Sequence, residues 1–166
     1  MKTFLIVLDG AKGTGKSTVS LLLQNKLNKT AFIGFDSVRH LIVNAKASNK
    51  NNKIVFDVII SMLNSFLEHD VNVVIDGGLT EERLKIIQKI VQKNNSNLYL
   101  YHLWAPREVL WERIQGRAQC KKPDRERFDY VYDILNKKNL AEFKEVDTVQ
   151  NNPETIVEKI YKDAVQ

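Results

Sequence analysis

The sequence has 166 residues, 43% of them hydrophobic and 27% charged, with a formal net charge of +5. That is the size and composition of one globular domain with a buried core, expected here to span 1–166, and the excess of positive charge suits an anionic ligand. No apolar run reaches the length of a membrane helix, and the single cysteine, Cys120, excludes an internal disulfide and points to a reducing, cytoplasmic setting.

The chain opens on "MKTFLIVLDG". A lysine followed by apolar residues is faintly like a signal peptide, but the run stops at Asp9 and no small-residue cleavage site follows, so the pattern predicts a first strand over 3–8. A glycine-rich stretch leads into a helix predicted over 16–29, then a strand over 31–35 and a helix over 37–46. The polar patch "KASNKNNK" (46–53) reads as a loop. A nearly continuous apolar helix over 53–69 follows, then a strand over 71–75, a helix over 80–94 and a strand over 97–104. The C-terminal part predicts helices over 106–117 and 124–139, a short strand over 143–149 and a helix over 153–165, with Pro106 and Pro153 as first helical residues. Strands that alternate with helices, and are apolar almost throughout, predict an α/β fold with a parallel sheet covered on both faces. There is no internal repeat and no Pro/Gly/Ser linker.

Gly10, Gly15, Lys16 and Ser17 match G-x-x-x-x-G-K-[ST], with a strand before and a helix after. A triphosphate is densely anionic. Gly10, Gly13 and Gly15 let backbone N–H groups turn inward without Cβ clashes, and the helix N-terminus aims its positive dipole end at the phosphates. Lys16 is placed to reach the β- and γ-phosphates, and the Ser17 hydroxyl to ligate Mg²⁺. Ala11, Lys12, Thr14 and Thr18 complete the stretch assigned to ATP, although the pattern does not require Lys12 and a solvated side chain serves equally well there.

Asp36 and Asp76 end the second and third predicted strands, so both lie on the rim where ligands of open parallel sheets sit. Each has a plainer explanation, Asp36 as a helix N-cap and Asp76 as a turn residue before Gly77 and Gly78. With a phosphate loop on the same rim, they are candidates for a proton acceptor and a Mg²⁺ ligand. Arg39, one turn into the next helix, is placed to meet an anionic acceptor or to be solvated. Arg113 and Arg117 are four apart and share a helix face, beside a basic segment bracketed by Gly116 and Pro123. They are either solvated or part of a mobile lid around 113–127 that covers the charge of a phosphoryl-transfer transition state. His40, His69 and His102 lack metal-ligand spacing, and Trp104 and Trp111 read as packing. Nothing beside Cys120 marks a nucleophile, and the 53–69 helix reads as core and one wall of an acceptor pocket.

The ordered stretches "GAKGTGKST", "FDSVR", "VVIDGGLTEER" and "LWAPREVLWERIQGR" make the chain, over 3–140, similar to the small P-loop kinases grouped around 5′-polynucleotide kinase, chloramphenicol phosphotransferase and zeta-toxin. The resemblance implies a three-layer fold with a five-stranded parallel sheet in the order 2-3-1-4-5. It implies that Lys16 and Ser17 hold ATP and Mg²⁺, with Asp76 as the acidic residue at the active-site rim. Asp36 matches the family's general base, Arg39 the arginine that holds an acceptor phosphate, and Arg113 and Arg117 the lid arginines over the nucleotide. Residues 149–153 would lie near the adenine. Two positions depart: Gly77 and Gly78 stand where polynucleotide kinases carry threonine and asparagine. Thr80 stands where nucleoside monophosphate kinases place an arginine, with Arg83 three residues later.

The expected activity is ATP-dependent transfer of the γ-phosphoryl group to an acceptor hydroxyl, either a nucleic-acid 5′ end or a small molecule. A nucleoside monophosphate acceptor and a non-catalytic ATP-binding module are the alternatives. A nucleotide switch would carry N-K-x-D, which this sequence lacks. No membrane partner is expected, and the sequence leaves the oligomeric state open.

Overall fold

A computed structural model describes residues 2–45, 48–117, 122–136 and 141–165. In chain order the elements are β1 (Phe4–Asp9), α1 (Lys16–Gln24), β2 (Thr30–Gly34), α2 (Phe35–His40), α3 (Asn49–Glu68), β3 (Asn72–Asp76), α4 (Glu81–Lys93), β4 (Asn97–Trp104), α5 (Arg107–Gln115), α6 (Arg125–Asn136), β5 (Lys144–Asp147) and α7 (Pro153–Val165). The five strands form one parallel sheet in the order β2-β3-β1-β4-β5, as the resemblance implies. β1 is central, and the switch in strand order on either side of it opens a crevice at its carboxyl end.

Residues of β1 alternate between the two faces. Leu5 and Val7 pack with Val55, Ile59 and Leu63 of α3 and with Leu84, Ile87 and Val91 of α4. Phe4, Ile6 and Leu8 pack on the other face with Val19 and Leu23 of α1 and Ile156, Val157 and Ile160 of α7. Each helix supplies these contacts at three- and four-residue spacing, so each buries one stripe. A third, smaller cluster joins α5 and α6 to the phosphate loop through Ala11, Leu110, Ile114 and Phe128. Among the described residues no helix is long and apolar enough to cross a membrane.

Several boundaries differ from expectation. The polar patch is largely helical: α3 starts at Asn49 because the Ser48 hydroxyl accepts the Asn51 N–H at 3.2 Å, a cap that outweighs the weak helix propensity of the asparagines; positions 46 and 47 lie outside the described residues. α2 starts at Phe35, directly after β2, with Gly34 as its N-cap, so Asp36 lies inside the first turn and is not the cap. α1 ends at Gln24, five residues early, and Lys29 before β2 takes φ 48°. Pro153 is the first residue of α7, whereas Pro106 is the N-cap of α5. The expected end of α6 at 139 lies outside the described residues.

Candidate active site

The loop between β1 and α1 sits on the carboxyl edge of the sheet. Gly10, at φ 139°, passes so close to β4 that a Cβ there would stand 2.2 Å from the Leu103 carbonyl oxygen. Only glycine lets the loop turn at that point. Thr14 Oγ1 closes the loop by donating to the Ala11 carbonyl at 2.9 Å. Lys16 curls over it, Nζ donating to the carbonyls of Gly10 at 2.8 Å and Ala11 at 3.0 Å. Burial pushes the Lys16 ammonium below its ordinary value, while Asp76, Asp9 and Asp36 act to keep it charged. The ammonium is thus desolvated and turned onto the carbonyls of its own loop.

Ser17 Oγ donates to Asp76 Oδ2 at 3.2 Å. Burial raises the Asp76 carboxyl above its usual range, against the pull of Lys16 and the Ser17 hydroxyl. A hydroxyl and a desolvated carboxylate at this separation suit Mg²⁺, which keeps several waters and takes few protein ligands. The residues present therefore fit the ion.

The opposite wall is built from α2, the start of α3 and the β3–α4 turn. Asp36 is exposed and pairs with Arg39 Nη1. Arg39 Nη2 donates to Asn52 Oδ1 at 3.1 Å, and its buried Nε has no partner among the described residues. Arg83 comes from the first turn of α4, which Thr80 caps by accepting the Arg83 N–H at 3.3 Å. Its Nη1 donates to the Gly78 carbonyl at 2.5 Å and its Nη2 to the Asn52 carbonyl at 3.0 Å. Both guanidiniums lie over the Phe35 ring, at 5.2 Å for Arg39 and 5.0 Å for Arg83. Phe35 fits because Gly78, at φ 76°, has no side chain: a Cβ there would be 2.0 Å from the ring. Gly78 thus admits an aromatic floor.

The two walls enclose a cleft of about 800 Å³ lined by the phosphate loop, Asp36, Arg39, Asn52, Asp76, Arg83 and Arg117. A second hollow of about 430 Å³ continues from Gly15 and Thr18 to Arg113, Thr148, Asn151 and Pro153. Arg113 and Arg117 do not share a helix face, because α5 ends at Gln115 and Arg117 lies beyond it. Arg113 donates to Thr148 Oγ1 and to the Thr148 carbonyl, both at 2.9 Å, and so builds the wall of the second hollow. Arg117 is exposed and lines both spaces. Part of the expected lid, 118–121, lies outside the described residues. Lys12 is exposed at the cleft.

Three residues of this site receive no site role from the sequence. Arg83 and Asn52 meet across 31 positions, and no local pattern marks such a contact. Asp9 lines the cleft, buried, and its Oδ2 lies 3.2 Å from Nδ1 of the buried His102. The only hint was its place directly before Gly10 at the end of an apolar strand.

A family model described as an AAA domain matches residues 6–132, most of the chain. The chain belongs to that family. No curated protein matches it by sequence. The fold of this AAA domain recurs in a sugar kinase from Janibacter sp. HTCC2649, with 14% identity, TM-score 0.73, and 98% of this chain and 96% of that one covered. It recurs in the Deinococcus radiodurans tunicamycin resistance protein at 16% identity and TM-score 0.67, covering 98% and 96%. A chain of the Pnkp1/Rnl/Hen1 RNA repair complex has 20% identity and TM-score 0.66, covering 81% of this chain and 44% of that one. The chain shares its architecture with these structures.

Proposed function

We propose that the chain is an ATP-dependent phosphotransferase that moves the γ-phosphoryl group to an acceptor hydroxyl. The observation that carries this reading is one continuous cleft with the phosphate loop and the Ser17–Asp76 pair on one wall and Asp36, Arg39 and Asn52 on the other. A switch or carrier of nucleotide has no need of a second wall with a carboxylate and paired arginines. The kinase names attached to structures of the same fold agree with it.

In this reading the nucleoside lies in the hollow bounded by Arg113, Thr148 and Pro153, and the phosphates lie on the loop from Gly10 to Thr18. Ser17 and Asp76 would hold Mg²⁺, which would supply neutralisation of phosphate charge. Lys16 leaves the carbonyls of Gly10 and Ala11 for the β/γ oxygens, and Arg117 reaches the same oxygens from above. The acceptor oxygen forms its bond to the γ-phosphorus as the bond to the β–γ bridging oxygen breaks and ADP departs with that electron pair. The acceptor proton passes to the Asp36 carboxylate, which Arg39 orients. Much of the rate comes from positioning and charge stabilisation rather than covalent participation.

Lys16→Ala tests the reading. Loss of one such contact lowers turnover on the order of 10²- to 10³-fold. Unchanged label transfer from γ-labelled ATP by a folded Lys16→Ala protein would remove the phosphate-loop assignment.

A further inference from the structure

We propose that His102, acting through Asp9, couples nucleotide binding at the phosphate loop to uptake of a proton, so that nucleotide affinity falls as pH rises. This rests on the nucleotide-binding half of the phosphotransferase reading and gives a positioning role to a buried pair which that reading leaves unused.

Asp9 and His102 are each 2% exposed, and Asp9 Oδ2 lies 3.2 Å from His102 Nδ1. The contact follows from strand pairing, which sets Asp9 of β1 opposite His102 of β4. Asp9 directly precedes Gly10 and lines the cleft. Its charge helps to keep the Lys16 ammonium charged and presses the Asp76 carboxyl upward. Asp76, Asp36 and Arg117 act on the same ammonium. Histidine is the side chain that gains a proton near neutral pH. With Asp9 ionised and His102 neutral, the pair carries one negative charge beside the loop. As imidazolium, His102 donates its Nδ1–H to Asp9 and the pair is neutral overall. A bound nucleotide brings further negative charge to the loop, and burial strengthens every interaction among these groups. The protonated pair therefore binds nucleotide more tightly, and by reciprocity bound nucleotide favours the protonated pair. The proton comes from solvent and adds to the imidazole nitrogen that lacks one. Glu145, exposed on β5, stands opposite His102 in register, so the pair lies one strand from water. The Glu145 carboxylate, like that of Asp9, favours the imidazolium.

The test uses the full chain with ADP and Mg²⁺ and needs no acceptor. Calorimetric titration near neutral pH, in buffers of different ionisation enthalpy, counts the protons taken up on binding. Wild type should take up at least about 0.2 proton more than His102→Gln, since protonation of ADP itself is common to both and cancels. From about pH 8.5 to about pH 5.5, wild-type affinity should rise at least about fivefold relative to His102→Gln. Asp9→Asn should lose the same pH dependence and bind no more weakly than wild type at the alkaline end. A contact with only a structural role would instead cost affinity at every pH. In wild type, where no variant has to fold, the His102 ring signal followed by NMR should titrate at higher pH with ADP–Mg²⁺ bound than without. Equal proton uptake in wild type and His102→Gln would overturn the coupling, as would a His102 titration that ADP–Mg²⁺ leaves in place or weaker binding by Asp9→Asn. Binding of ADP–Mg²⁺ without proton uptake strikes the coupling alone, whereas failure of ADP–Mg²⁺ to bind at all would strike the phosphotransferase reading with it.

Discussion

Replacing Asp36 by Asn exchanges one oxygen for an amide nitrogen and removes the charge that a proton acceptor needs. The structure bounds the cost to stability. The side chain is 77% exposed and its ion pair with Arg39 is an i, i+3 pair on a six-residue helix. An exposed pair contributes about 0.2–1 kcal/mol. An acid in the first turn of a helix adds about 0.3–1 kcal/mol through the dipole. Gly34 holds the N-cap, so no cap bond is lost, and the Asn oxygen still accepts from Arg39. At about 2–4 °C per kcal/mol for a chain of this length, Tm should fall by no more than about 8 °C. Turnover should fall by about 10²- to 10⁴-fold, the range of general-base contributions. Asp36→Ala should behave the same way, since no cap penalty is added. The assay pairs thermal melting, with and without a non-hydrolysable ATP analogue and Mg²⁺, with initial rates on the best acceptor. Turnover of Asp36→Asn within a few-fold of wild type would show that Asp36 takes no proton. A fall in Tm beyond about 8 °C would show that its role is structural.

Asp76→Asn should raise the Tm of the ligand-free protein at neutral pH, because the folded state holds this carboxyl above its ordinary range. The stability cost of the ionised form develops as pH rises from the ordinary aspartate range through the raised folded value, so the two proteins should converge below that range; ATP and Mg²⁺ should stabilise the wild type more. A lower Tm for ligand-free Asp76→Asn at pH 7 would contradict that sign. Gly78→Ala places a methyl 2.0 Å from the Phe35 ring at φ 76° and should cost at least about 2 kcal/mol, read as a fall in denaturant midpoint; an unchanged midpoint would mean that Phe35 can leave its place. Arg113→Ala should raise the KM for ATP about tenfold with a smaller change in kcat, because its two bonds to Thr148 shape the hollow proposed for the nucleoside. A loss confined to kcat would return Arg113 to the transition state.

The parts of this site that follow each other in the chain are legible in the sequence. The spacing from Gly10 to Ser17, between a strand and a helix, marks the loop because phosphate binding is local chemistry. The alternation of apolar strands with helices gives the parallel sheet, and the family resemblance adds its order. Helix ends are less legible: Gly34 caps α2 through its backbone conformation, which no side chain announces, and Ser48 starts α3 inside a stretch rich in Asn and Lys. Arg113 and Arg117 share a face only on a helix that runs past Gln115, and this one stops there. The wall opposite the phosphate loop is least legible. Arg39, Asn52, Phe35, Gly78 and Arg83 come together from three elements through contacts that only the sheet order creates. Asp9 and His102 meet because β1 and β4 are paired in register, Asp9 opposite His102.

The most direct measurement is transfer of label from γ-labelled ATP, with Mg²⁺, to a panel of 5′-hydroxyl oligonucleotides, nucleosides, nucleoside monophosphates, sugars and sugar acids, and hydroxyl-bearing antibiotics. Wild type should move the label to at least one hydroxyl, at a rate that Lys16→Ala and Asp36→Asn each reduce at least about a hundredfold. A protein that binds ATP and Mg²⁺ yet labels no member of the panel, or labels one equally well in both variants, would contradict the assignment of this cleft as a phosphotransferase site.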